Sequence, residues 1–134
     1  MSISEKLAQK GLAAGLVKAA ELKSPSSIAI LDSGRNMVAF IRMENALLAS
    51  IEISKGKAFT AASMNMKTGD IMPLIQPGAP LYGMETSHRQ SLIAFAGGVP
   101  IVQNGVVIGA VGVAGGMPSD DESIAQAAAD AISG

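Results

Sequence analysis

Asn104 and Gly105 sit between two apolar runs in the stretch VPIVQNGVVIGAVGV, residues 99–113. No other short feature limits the fold so tightly. Asn-Gly accepts the positive φ angles of a two-residue type I′ turn, whose twist matches that of paired strands. The chain is therefore expected to reverse here as an antiparallel hairpin. A second hairpin is written in SIAILDSGRNMVAFIR, where two β-type runs flank a turn at Ser33 and Gly34. The run SLIAF, residues 91–95, reads as a further strand, cut off from the Asn-Gly hairpin by Gly97 and Gly98. Adjacent hairpins imply a mainly antiparallel sheet, and its apolar faces must be covered.

Helices supply that cover. Ser2 with Glu5 fits a capping box, and Ala8, Leu12, Leu16, Ala19 and Leu22 then share one face opposite Lys6, Lys10 and Glu21. Pro25 ends this segment by disfavouring helix at Ser24. A second helix is expected over residues 47–66, with Leu48, Ile51, Phe59, Ala62 and Met66 as its apolar stripe. A third opens at Ser119 with Glu122 three residues on, and turns Ile124, Ala128 and Ala131 inward. The order is helix, hairpin, helix, long connection, three strands, helix: an α+β arrangement expected to form one domain over residues 1–134.

The connection over residues 67–90 exceeds the roughly 15 residues that a compact domain usually leaves irregular without a functional reason. One short helix near residues 70–75 fits, with Pro73 tolerated in its first turn. Pro77, Gly78, Pro80 and Gly83 then exclude regular structure, so PGAPLYGMETSHRQ reads as a shaped loop. It holds the only Tyr and the only His of the chain.

Composition excludes several functions. Charged residues are 16% against roughly 25% in an average soluble domain, and hydrophobic residues are 49%. So few charges coat a monomer poorly, and burial of apolar faces in a homo-oligomer is expected. A formal net charge of −1 and 3% aromatic residues argue against nucleic acid and anionic membrane as partners. The absence of Cys removes disulfides, thiolate nucleophiles and Cys-based metal sites, and suits a cytoplasmic protein. The apolar run over residues 106–117 is too short to span a bilayer.

Three places could carry chemistry. His88 has the proton affinity for acid–base work and a ring nitrogen suited to iron, while the bland alternative is an exposed loop histidine. Lys55 and Lys57 flank Gly56 on the second helix; Lys55 falls on the apolar stripe, and Lys57 lies on the other side near Thr60. A lysine so placed either snorkels, pairs with a carboxylate such as Glu52, or meets an acidic ligand. Gly56 costs a helix about 1 kcal/mol relative to Ala, which points to close approach of another element. Arg42 can grip a carboxylate bidentately, or pair with Glu44 or Glu52. Gly112, Gly115 and Gly116 invite a phosphate site, but Asp120, Asp121 and Glu122 would repel the anion.

Jointly, several motifs resemble one family. They are Asp32-Ser33-Gly34, Arg42-Met43-Glu44, Lys57-Ala58-Phe59-Thr60-Ala61, Pro77-Gly78-Ala79-Pro80-Leu81-Tyr82-Gly83 and Gly97-Gly98-Val99-Pro100-Ile101. Nearly the whole chain is similar to the GlcG/HbpS-like, or haem-degrading domain, family, to which the C-terminal domain of PduO-type corrinoid adenosyltransferases belongs. The resemblance implies a profilin- or roadblock-like antiparallel sheet of about five strands sandwiched between helices, assembling as dimers or larger rings. It implies an accessory protein for glycerol, propanediol or glycolate metabolism that holds haem, a corrinoid or a small acidic metabolite. Arg42, Lys57, Thr60, Glu85, Thr86 and His88 would line the site, with His88 on the metal and Lys57 and Arg42 on carboxylates. Relatives often read Glu-Thr-Ser-Asn-Gly where this chain has Glu85-Thr86-Ser87-His88-Arg89. Two alternatives stand beside this reading: an enzyme using Glu85 and His88 as acid and base on a hydroxy acid or diol-pathway metabolite, and a non-catalytic partner of a diol-pathway enzyme.

Overall fold

The computed structural model describes residues 3–134; Ser2, the expected cap of the first helix, lies outside them. Helix α1 runs Glu5–Glu21, and its described cap is Ser4, whose hydroxyl accepts the Leu7 N–H at 3.1 Å. Strands β1 (Ser27–Asp32) and β2 (Met37–Arg42) form the first hairpin. The Asp32 carboxylate ties its turn by accepting the Gly34 and Asn36 N–H groups, both at 2.9 Å. Helix α2 spans Ala49–Met64 and stops where Asn65 turns left-handed. A four-residue helix α3 (Thr68–Ile71) runs straight into a 3₁₀ turn, Met72–Ile75, which tolerates Pro73 because it lies in the first turn. Strands β3 (Gly98–Gln103) and β4 (Val106–Ala114) close on Asn104 (φ 52°) and Gly105 (φ 77°), and helix α4 (Pro118–Ser133) ends the chain.

All strand pairs are antiparallel, in the order β2-β1-β4-β3. The sheet thus has four strands, not about five. Residues 91–94 carry no regular structure. Leu92 and Ala94 are buried, but the N–H of Ile93 bonds to Thr60 Oγ1 of α2 at 2.8 Å and that of Leu92 to the Glu85 carbonyl at 3.1 Å. Donors satisfied in this way have no ladder to join.

Helices α1 and α4 cover one face, over Ile28, Ile30, Val99, Ile101, Val111 and Val113. Helix α2 covers the other, against Ala29 and Leu31 of β1 and the middle of β4. That second face is lined with small side chains. A Cβ on Gly112 would overlap the Ser54 carbonyl and the Ala58 nitrogen, so α2 lies backbone-on-backbone against β4. Its buried residues are accordingly Ser50, Ser54, Gly56, Lys57, Ala58, Thr60 and Ala61. Of the apolar stripe expected to face the core, Leu48 is exposed and Ile51 and Ala62 are half-buried, while half-buried Phe59 and Met66 pack against buried clusters at the edges of the helix.

Candidate functional site

Lys57 is the largest side chain that the fold buries completely, at 1% exposure. Its chain leaves α2 on one face of the sheet and ends among groups from the other. The ammonium donates to the Val113 carbonyl at 2.9 Å and to Asp121 Oδ2, on α4, at 3.0 Å. Asp121 is equally buried, and its Oδ1 accepts the Gly116 N–H at 3.1 Å. The ring of Phe95 lies 5.1 Å from Lys57 Nζ. Burial lowers the Lys57 pKa below its ordinary 10.5, against the opposing pull of Asp121. Burial likewise raises the Asp121 pKa above 3.8, against Lys57 and the Gly116 hydrogen bond. Burial thus works against the charge on both groups, while their mutual attraction and hydrogen bond uphold it. Above them lies a cavity of about 150 Å³, lined also by Leu47, Ile53, Phe95 and Pro118.

From sequence, Asp121 reads only as an acid in the first turn of the last helix. Its spacing carries a stronger signal: Asp121, Ile124, Ala125, Ala128 and Ile132 share one buried face. The expected capping box at Ser119 and Glu122 is not formed. α4 begins at Pro118 with no side-chain cap, and Asp121 reaches back to Gly116 instead. Gly115 and Gly116 serve the tight exit from β4 against Pro25 and Ser24, in keeping with the argument against a phosphate site.

His88 lies on another side of α2. Its ring meets Phe59 edge-on, with centroids 6.0 Å apart, while the Arg35 guanidinium sits 4.8 Å from the Phe59 ring centroid and donates to Ser63 Oγ at 3.2 Å. Phe59 and Lys57 are two residues apart, about 200° around a helix, so His88 and Lys57 do not face one cleft. His88 Nδ1 bonds to Ser87 Oγ at 3.0 Å, which leaves Nε2 without a protein partner among the described residues. Sequence reasoning misses Arg35 and Phe59 as site residues. The signal for Phe59 is present in the helix stripe, where it reads as core.

The other expected site residues are dispersed. Thr60 is buried and spends its hydroxyl on the Gly56 carbonyl (2.7 Å) and the Ile93 N–H. Gly56 is approached as expected: a Cβ there would come 2.6 Å from Ile93 Cδ1. Glu85 is half-buried in a 3₁₀ turn, Met84–Thr86, and Thr86 bonds back to the Gly83 carbonyl at 2.9 Å. Arg42 is exposed at the end of β2 and pairs with neither Glu44 nor Glu52. Lys55 reaches over the Phe40 ring at 5.4 Å. The 77–90 segment meets α2 through His88 on Phe59, and Ile93 just beyond it packs on Gly56, but no shared polar cleft forms beneath them among the described residues. Among the described residues no three His, Cys, Asp or Glu side chains gather to hold a bare metal ion, and no helix is long and apolar enough to cross a membrane.

Comparison with known proteins agrees with this architecture. The chain is 40% identical over 116 residues to an uncharacterized 15.0 kDa protein in the dhaT-dhaS intergenic region of Citrobacter freundii, covering 87% of this chain and 82% of that one. It is 35% identical to the corrinoid adenosyltransferase PduO of the same organism over 98% of its own length, yet spans only 39% of that protein. Among solved structures, the crystal structure of a PduOC:Heme complex superposes with a TM-score of 0.93 at 33% identity, covering 98% of this chain and 95% of that one. Residues 3–130 match the family described as haem degrading protein HbpS-like, and the chain belongs to that family.

Proposed function

We propose that the protein is a haem-binding accessory protein and that the outer face of α2 is where haem docks. The observation that carries the reading is the near-complete superposition on the PduOC:Heme complex. The residues of this face suit the group. Haem iron already has four nitrogen donors and asks the protein for one axial ligand, so a lone histidine suffices where a bare ion would need several. His88, with Nδ1 held by Ser87 Oγ, presents Nε2 outward. Phe59 offers an apolar ring beside it, and Arg35 supplies a guanidinium group for a propionate.

Exposed Leu48 (73%), Met117 (69%) and Tyr82 (68%) support association into a homo-oligomer that covers part of the surface. The proposal extends to an accessory role in diol metabolism, for which the likeness to the dhaT-dhaS and PduO relatives is the support.

The test is an absorbance titration with haemin and, in parallel, with a cobalamin. Haemin is expected to give a shifted, saturable Soret band that His88→Ala weakens, and Arg35→Ala to lower the affinity without moving the band. A wild-type spectrum indistinguishable from free haemin would end the haem reading, and saturable binding of the cobalamin alone would move it to corrinoids.

A further inference from the structure

The Lys57–Asp121 pair lies away from the proposed haem face and has no part in that reading. Its geometry is unusual for a structural pair because it forms the floor of a cavity rather than being walled in. An ammonium has three donors. Two are fixed, on the Val113 carbonyl and Asp121 Oδ2, while the third direction has no oxygen acceptor and faces the Phe95 ring. Phe95 and Lys57 both line the cavity. When the proton passes to Asp121, 3.0 Å away, the lone pair first lies along that hydrogen bond. A turn about the Cε–Nζ bond that keeps one N–H on the Val113 carbonyl brings it to the third direction. A desolvated lysine with an adjacent proton carrier is the arrangement by which amines become nucleophiles toward carbonyl groups.

The cavity decides the guest. Asp121 cancels the charge of Lys57, so the floor has no net attraction for a carboxylate. Walls of Leu47, Ile53, Phe95 and Pro118 favour an uncharged aliphatic body. A volume of about 150 Å³ matches an apolar cavity that takes up benzene, which limits the guest to about six carbon atoms. We infer that Lys57 is a carbonyl-reactive amine and that this cavity takes short aliphatic aldehydes or ketones as a reversible imine. In the step, the Lys57 nitrogen bonds to the carbonyl carbon and the amine proton moves to the carbonyl oxygen by way of Asp121. Asp121 then protonates the resulting hydroxyl, the C–O bond breaks, and water leaves. The product is an iminium beside the Asp121 carboxylate, with no redox change, and hydrolysis runs the same path backward.

The test incubates the full chain with butanal and sodium cyanoborohydride at neutral pH and maps the reduced adducts by peptide mass spectrometry. Lys57 is expected to be labelled faster than Lys55, because burial lowers its pKa and leaves more of the free amine. A bulky aromatic aldehyde should reverse that order, labelling Lys55 and sparing Lys57. Lys57→Arg should remove the butanal adduct and leave the others unchanged. Labelling of Lys57 no faster than that of Lys55 overturns the inference, as does equal labelling of Lys57 by both aldehydes. The position is read on the wild-type chain, so a poorly folding variant does not obscure the answer.

Discussion

Removing Asp121 isolates the energetic role of the buried pair. Both side chains are at or below 3% exposure, which places the pair in the regime of desolvated ions rather than exposed pairs worth about 0.2–1 kcal/mol. In Asp121→Ala the Lys57 nitrogen keeps one carbonyl acceptor and loses its counter-charge, and the Gly116 N–H loses its acceptor. Breaking such a pair costs about 3–5 kcal/mol, because the remaining charge stays buried. A 134-residue chain unfolding with about 2.1 cal/mol/K per residue loses roughly 0.28 kcal/mol per degree, so the melting temperature should fall by about 11–18 °C. Lys57→Met leaves a buried carboxylate and should cost a similar amount. The double variant buries no charge and should be no less stable than either single one. Urea unfolding at one fixed protomer concentration measures all four corners of this cycle. Costs near 1 kcal/mol, or a double variant matching the sum of the singles, would show that the two groups do not act as a desolvated unit.

Other consequences of the structure are equally open to measurement. The pair should give wild type a distinctive stability profile against pH, best seen as its difference from the double variant. Asp121 holds its proton more tightly when folded, so stability falls as pH rises from 3.8 through its raised folded value. Lys57 loses its proton more readily when folded, so stability recovers as pH rises through its lowered folded value toward 10.5. A flat difference across both windows would contradict both shifts. Thr60→Val keeps the shape but orphans the Ile93 N–H, at a cost of about 1–3 kcal/mol. Hydrogen exchange at Ile93 should accelerate, and unchanged protection would show that the donor has another partner. Gly112→Ala should cost about 3 kcal/mol, at the upper end of overpacking penalties, because its methyl meets α2 backbone. Gly56→Ala, which meets the movable Ile93 side chain, should cost less in the same denaturation assay.

Much of the framework can be read from local patterns. The Asn104-Gly105 turn, the Asp32-Ser33-Gly34 turn and the apolar periodicity of α1 are each decided within a few residues, and each appears where expected. Failures come where a distant element overrides the local pattern. Residues 91–95 have strand composition, but Thr60 on α2 takes the Ile93 N–H that a strand would donate. The residues of α2 that meet β4 are small ones rather than the expected large apolar stripe, because Gly112 brings the helix backbone against the sheet. Of the candidate site, Lys57 is legible as unusual, yet its partner lies 64 residues away. Nothing near Lys57 names that partner, although the periodicity of α4 marks Asp121 as an inward-facing acid. His88 and Lys57 are near in sequence logic but lie on different sides of one helix, which no spacing rule over an irregular loop can foresee.

The irregular span between α3 and β3 is fastened at discrete points: Leu92 N–H on the Glu85 carbonyl, Ile93 N–H on Thr60, and Thr68 Oγ1 bridging the Phe95 carbonyl and the Gly98 N–H. Between such fasteners side chains stand in solvent, His88 and Arg89 among them. Mutational drift can therefore rewrite what that span offers to a ligand while the rivets and the sheet beneath them stay as they are. A lineage built on this plan would diversify its chemistry by exchanging a few exposed letters, without having to solve its folding problem again.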